Sequence, residues 1–427
     1  MASFSIPLTG LESDSTALNT IANDLANMNT TGFKATTTNF TDLFYQEIGS
    51  TGSGDPIQMG AGVQVASNET NFTQGTVNST SNASDVALNG SGFFVVDNGD
   101  GGYELTRAGD FTQASNGNLV TANGLSVMGY PAVNGVVNTN APLTAINIPV
   151  GAVQEPSATT TLNMTANLDS ASTTGTQVPA QVTIYDSLGQ AHTATVTYQQ
   201  TAANTWSYSV ALPASDFTSG VSTPVTGSMT FDASGNLEYV TPTGGPQETV
   251  GTTGSDVSSI PLSFTGLASG ANNLSISWNL MGTSGSTPSI SQVDTASAVS
   301  ATSQNGFTSG QYSSFSIGSN GTVTVSYSNG QKENVGQLAL GNVNNLQGLS
   351  LLGDGDYATT LASGTAAIAT SGSSGLATLT DGSLEASNVN ISSEFSDLII
   401  AQRAFEASSK AVTTFDQVTQ DTINMVH

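Results

Sequence analysis

Apolar residues recur every seven positions at the two ends of this chain and every second position through its middle. At the first end Phe4, Leu11, Leu18 and Leu25 fall on one line, and Leu8, Ile21, Ala22 and Met28 widen it into a stripe. That period predicts an amphipathic helix. Thr9 and Glu12 have the spacing of a capping box, which places the helix start near Leu11, and Asn29 to Gly32 end it. At the far end Ile391, Leu398, Phe405, Val412 and Val426 form a second line, with Thr419 its polar exception and Ala401 and Phe415 beside it. Ser392 is the candidate cap of that helix and Glu394 stands in its first turn. A stripe on a single helix has nothing to bury against. The pattern therefore predicts that the two ends pair and that the segments between them are nested.

Between the ends the period changes to two. FFVV at Phe93–Val96 and Leu119-Val120 read as strands, and Gln181 to Gln200 reads as two alternating strands around Asp186-Ser187-Leu188-Gly189. Thr205 to Leu212 and Asn273 to Leu280 alternate as well, and β character resumes over Phe315 to Gln331. Eight Asn-Gly pairs between Asn89 and Gly330 supply hairpin turns. Val335 to Tyr357 is punctuated by Gly and Asn and reads as loop; Thr36 to Gln74 reads as an extended connector or small subdomain. The expected fold is mainly β with α-helical termini: nested, discontinuous β domains on a coiled-coil-like helix pair. Four parts follow from this nesting. Residues 1–34 and 391–427 form a terminal helical assembly domain. Residues 35–74 and 358–390 form a connector, 75–149 and 291–357 an inner β domain, and 150–290 an inserted outer β domain.

Composition narrows the function. Among 427 residues, 31 are acidic and five basic, and the net charge is −26. Nucleic acid and anionic membrane surfaces are poor partners for such a chain. With no cysteine, disulfides, thiolate metal sites and thiol catalysis are excluded. MASFSIPLTG lacks a basic segment and an unbroken apolar core, and no stretch reaches the ~20 apolar residues of a membrane span. The surface, rich in Ser, Thr, Gly and Asn, suggests export by a route without a cleaved signal.

Candidate chemistry is sparse. His192 lies in a strand and reads as a surface or hairpin residue; His427 is the last residue. Asp97–Gly102 and Asp354-Gly355-Asp356 resemble the start of calcium loops, but the twelfth positions are Ala108 and Thr365 where a glutamate is required, so both read as turns. Neither a nucleophile elbow nor a phosphate loop occurs. No catalytic residue, cofactor or metal ligand is expected, and the chain is read as a non-enzyme. Three classes remain: a polymerising structural subunit, a surface adhesin built on the outer β domain, and a carbohydrate-active β enzyme. The paired terminal stripes favour the first.

Several stretches resemble the rod and hook family of axial proteins of the bacterial flagellum, and within it the hook proteins. They are ALNTIANDLANMNTTGFKA, with Asn19, Asn23, Asn27, Gly32, Phe33 and Lys34; LNGSGFFVV; LTRAGDF, with Arg107; YDSLG; LEASNV; and IAQRAF, with Gln402 and Arg403. Phe405 stands where tyrosine is commoner. Length and the central insertion favour the hook over the shorter rod proteins, with a distal rod protein as the alternative. The resemblance implies a structural subunit that polymerises into a short, curved, flexible tube carrying torque from rod to filament. It implies terminal helices lining the tube, with the inserted domain outward. It also implies type III export and contacts with rod, hook–filament junction and hook cap proteins. The ends are expected to order only on assembly.

Overall fold

The computed structural model describes residues 5–50, 52, 55–251, 256–282, 287–373 and 375–425. Phe4, Val426 and His427 lie outside them. The chain is mostly β, with one long helix near each end: α1, Ser5–Ala26, and α2, Ile391–Met425. It divides into two compact units. The first comprises residues 1–150, 314–326 and 332–427; the second comprises 151–313 and 327–331.

Helix α1 extends to Ser5, ahead of the expected start near Leu11. Thr9 does not cap it; its hydroxyl donates to the Ile6 carbonyl at 2.8 Å, a bond that a residue already inside a helix can make. The cap of α2 is likewise displaced, by two positions. Asn390, not Ser392, supplies the accepting oxygen, to the N–H groups of Ser392 at 3.0 Å and Ser393 at 3.3 Å.

After α1 the chain forms an antiparallel hairpin of Thr36–Asp42 with Val63–Thr70, bulged between Asn39 and Phe40. Its first strand runs back along α1: Thr36 N–H donates to Asp24, and the Thr38 and Thr20 hydroxyls meet at 3.0 Å. A second hairpin, Gln46–Ser50 with Pro56–Met59, follows from it. The main sheet of the first unit pairs Phe93–Asp97 with Tyr103–Thr106, Ser126–Val133 and Lys332–Asn342. Phe93, Val95, Leu105, Met128, Ala339 and Tyr357 form its core. The loop reading of Val335 to Tyr357 is therefore corrected. The sequence LALGN extends a strand buried on both faces, which removes the alternation that would have marked it.

The second unit is two sheets around one core. One is a six-stranded antiparallel meander from Gln177–Tyr185 to Glu248–Thr249. The other centres on Thr161–Asp169, which pairs in parallel with Leu274–Asn279 and Ile290–Val293 and antiparallel with Ala298–Gln304. Trp278 packs edge-on against Tyr208 at 5.7 Å and tilted against Tyr198 at 6.1 Å, with Trp206 in the same core. The period-two reading of these strands holds along their length.

His192 is corrected. It is 2% exposed, because strand alternation puts it on the inner face, opposite Ile184. Its Nδ1 lies 2.9 Å from Asp216 and its Nε2 3.1 Å from Asp186. The Ser269 hydroxyl donates to Asp186 at 2.7 Å, and Leu188 and Gln190 N–H groups donate to its other oxygen at 2.9 Å. Burial pushes the Asp186 carboxyl up, but the bonds from Ser269, His192, Gln190 and Leu188 outweigh it and hold the group below its ordinary 3.8. A depressed carboxyl contributes stability that is present above its unfolded value and lost as pH falls through its folded value. The second unit is therefore expected to lose stability on acidification below about pH 4, and Asp186→Asn to flatten that acid limb in thermal melts followed by tryptophan fluorescence. Identical acid limbs in the two proteins would refute this.

Candidate assembly site: the terminal helix pair and its buried charge junction

The two helices lie antiparallel. Ser408 Oγ donates to Asp14 at 3.0 Å, and a Cβ on Gly10 would stand 3.2 Å from the same hydroxyl. At the other end of α1, Asp24 and Asp397 are close enough to Glu394 to raise its carboxyl, after burial as the main cause. The close approach uses small residues, which sets a short interaxial distance. The buried residues of α1 are Ser13 and Asp24, and that of α2 is Ala401.

The leucine stripe is consequently not the most buried line of the helix. Leu11, Leu18, Ile21 and Leu25 are half-buried, and Leu8 and Met28 are exposed, Leu8 by 50%. On α2, Leu398, Phe405, Val412 and Phe415 are half-buried and Ile391 is exposed. Phe395, Ile399 and Ile400 add exposed apolar surface. Both stripes are thus left partly open. A pocket of about 350 Å³ lies between the helices and the strand Thr36–Asp42, lined by Ala17, Ile21, Ile400 and Ala404 together with the carboxylates Asp14, Glu394 and Asp397.

At the C-terminal end of α1 the chain turns into the β structure through a buried junction. Gly32 has φ +68°, and a Cβ there would come within 2.7 Å of the Arg107 carbonyl carbon, so both its conformation and its space require glycine. Its N–H donates to the Glu385 carbonyl at 2.8 Å. Two residues on, Lys34 Nζ donates to Glu385 Oε1 at 2.5 Å and to the Thr73 carbonyl at 2.9 Å. Arg107 Nη1 lies 3.3 Å from Glu385 Oε2, Nη2 donates to the Gly90 carbonyl at 2.9 Å, and the guanidinium sits 5.3 Å from the centre of the Phe93 ring. Gly75 N–H donates to Glu385 Oε1 at 2.8 Å. Asn388 closes the arrangement, accepting from Ala35 N–H at 2.8 Å and donating to the Asn71 carbonyl at 2.7 Å.

Two of the five basic residues of the chain are therefore buried on one carboxylate. Lys34 is 1% exposed, Arg107 4% and Glu385 1%. Burial is the largest influence on both cations and lowers both, against the pull of Glu385. Nearby Asp24 is fully buried, and burial raises its carboxyl against the hydrogen bond from Thr36 N–H at 2.8 Å. The junction fixes where α1 leaves the β structure. It can orient the helix; its charged groups are buried against one another, and among the described residues Arg107 Nε and Asp24 Oδ1 are its atoms left without a hydrogen-bond partner.

Of the motif residues, Gly32, Phe33, Lys34 and Arg107 come together here, Phe33 through its carbonyl and Asn388 N–H at 3.4 Å. Asn27 bonds back to the Asn23 carbonyl within the helix end. Asn19, Asn23, Gln402 and Arg403 are exposed on the helices, Arg403 pairing with Glu406 at 2.9 Å. Sequence reasoning did not single out Glu385, Asn388 or Asp24. Glu385 and Asn388 stand in the LEASNV stretch, and the scarcity of cations was the available signal, since a rare charge in an apolar setting requires a partner.

Comparison with known proteins follows the same division. Residues 8–34 match the family described as flagella basal body rod protein, and 87–169 the flagellar hook protein FlgE/F/G D1 domain. Residues 156–307 match the flagellar basal body protein FlaE D2 domain, and 380–425 the flagellar basal body rod FlgEFG protein C-terminal family. The flagellar hook protein FlgE of Salmonella typhimurium is 33% identical over 99% of this chain and 100% of its own length. That of Treponema pallidum is 32% identical over 98% of each. A crystal structure of a Helicobacter pylori flagellar hook protein shares the fold, with a TM-score of 0.54 at 15% identity, covering 72% of this chain and 100% of that one. The full-length identity, the matched families at both ends and the β architecture between them place this chain in the flagellar hook protein family, as a structural subunit of the hook.

Proposed function

We propose that the chain polymerises through its terminal helix pair into a curved, flexible tube that transmits motor torque from rod to filament. The observation that carries this reading is the apolar line left half-open along both helices. A residue of leucine size gains about 1.5–3 kcal/mol on full burial, so six or more half-covered positions represent a substantial contact energy still available. Long-range attraction between copies is not on offer at a net charge of −26, which favours short-range apolar contact as the cohesive force. On this reading the hook protein is exported through the type III apparatus and contacts rod, junction and cap proteins. It is neither an enzyme nor a nucleic-acid or membrane binder.

The test is direct. Purified chain is expected to form curved tubes by electron microscopy, and both ends to resist protease in the tubes but not in the monomer. Straight tubes would favour an axial rod subunit instead. Failure to assemble, or equal protection in both states, would remove the helix pair as the assembly site.

A further inference from the structure

We propose that Asn134 is the site at which this chain undergoes spontaneous deamidation, and that the fold protects the other seven Asn-Gly pairs. The chemistry is that of any Asn-Gly dipeptide. The backbone nitrogen of the glycine attacks the asparagine Cγ, a C–N bond forms, and ammonia leaves. Water then opens the resulting succinimide to aspartate or isoaspartate. The nucleophile is the glycine N–H after loss of its proton, so a glycine N–H held in a hydrogen bond is withdrawn from the reaction.

In seven of the eight pairs it is held. Gly90 N–H donates to Gln74 Oε1 at 3.1 Å, Gly99 to Asp97 Oδ1 at 3.0 Å and Gly306 to Gln304 Oε1 at 2.5 Å. Gly117, Gly124, Gly321 and Gly330 donate to backbone carbonyls three residues back at 2.7–3.0 Å. Most of the asparagine side chains are tied as well. Asn98, Asn116, Asn320 and Asn329 each accept from a backbone N–H two residues on, Asn305 accepts from Thr160 and Thr161, and Asn123 donates to Asp356 at 2.6 Å.

Asn134-Gly135 differs in each respect. It is the two-residue turn joining Ser126–Val133 to Val136–Val137, closed by the Val133–Val136 pair. Both residues are left-handed, with φ of 52° and 75°, the conformation of a tight hairpin turn whose second N–H points away from the ladder. Asn134 is exposed, and among the described residues its side chain has no hydrogen-bond partner and Gly135 N–H no acceptor; only the Gly135 carbonyl is engaged, by Asn334 Nδ2 at 3.1 Å. Conversion adds one more carboxylate to an already acidic chain, and isoaspartate lengthens the backbone of a turn with no residue to spare.

Folded, full-length chain incubated at mildly alkaline pH is followed by peptide mapping with fragmentation that separates aspartate from isoaspartate. Asn134 is expected to convert about fivefold or more faster than any of the other seven, the discrimination a single protecting hydrogen bond supplies. In denaturant all eight are expected to convert at comparable rates, and Asn134→Gln is expected to remove the early product from the folded chain. Conversion of another pair first, or of all eight together in the folded chain, would overturn the inference. So would no conversion at Asn134 over a period in which the denatured chain reacts.

Discussion

Glu385→Ala is expected to destabilise the first unit by about 3–5 kcal/mol, the cost of removing one partner from a buried ion pair. Two cations depend on this carboxylate, and neither can reach water: Lys34 is 1% exposed and Arg107 4%. The Thr73 and Gly90 carbonyls remain as acceptors, but carbonyl dipoles do not neutralise charge, and Gly75 N–H loses its acceptor at the same time. Glu385→Gln separates shape from charge, because it keeps the volume and an accepting oxygen and removes only the negative charge. It is expected to cost nearly as much as the alanine variant. Lys34→Met, which leaves Glu385 paired with Arg107, is expected to cost less than half. The molecule supplies its own reporters. Both tryptophans, Trp206 and Trp278, lie in the second unit, and both α-helices lie in the first. In urea titrations the helical circular dichroism signal should therefore shift to lower denaturant while the tryptophan fluorescence transition stays in place. An unmoved helical transition in Glu385→Ala would mean that the junction contributes nothing to the fold.

This junction also marks the boundary of what the sequence discloses. Periodicity is a local property, and these elements it predicted are there: the helices near both ends, Phe93–Asp97, the two strands flanking Asp186 to Gly189, and Thr205–Ala211. Partnership is not local. Lys34 and Glu385 are separated by 351 positions, and nothing in either neighbourhood marks the other. His192 was misread for the same reason, since one of its two carboxylates comes from a turn six residues away and the other from a 3-10 turn at Ala214–Asp216. The helix seam failed differently. A heptad line identifies the most apolar face, and the natural inference is that this face is the buried one. Here the most buried positions of the two helices are Ser13, Asp24 and Ala401, and the apolar line keeps part of its surface exposed. On the proposed reading, apolar surface left exposed on the helices is what a polymerising subunit would keep for contacts between copies.

That partly exposed apolar line sets the second large effect. Leu18→Asp and Leu25→Asp are each expected to abolish tube formation while leaving the monomer folded. Both positions are half-buried in the single chain, so a carboxylate there can turn to water at modest cost. In a contact between copies the same side chain would lose the leucine's remaining transfer energy, about 1 kcal/mol, and would bring an unpaired charge out of water, at about 2 kcal/mol or more even with partial relaxation. A loss of about 3 kcal/mol per contact raises the concentration needed for assembly by about two orders of magnitude, since each 1.4 kcal/mol is tenfold. Repetition along a polymer compounds it, and the added negative charge finds no compensating cation on a surface whose exposed basic residues are Lys332, Arg403 and Lys410. The control is a charge change of the same size on the same helix off the stripe: Asn19→Asp, at an exposed position, should assemble at nearly the wild-type concentration. Sedimentation across a concentration series, with circular dichroism of the unassembled fraction, separates assembly from folding. Tubes forming from Leu18→Asp at the wild-type threshold, or an equal defect in Asn19→Asp, would show that the stripe is not the contact and that net charge alone governs assembly.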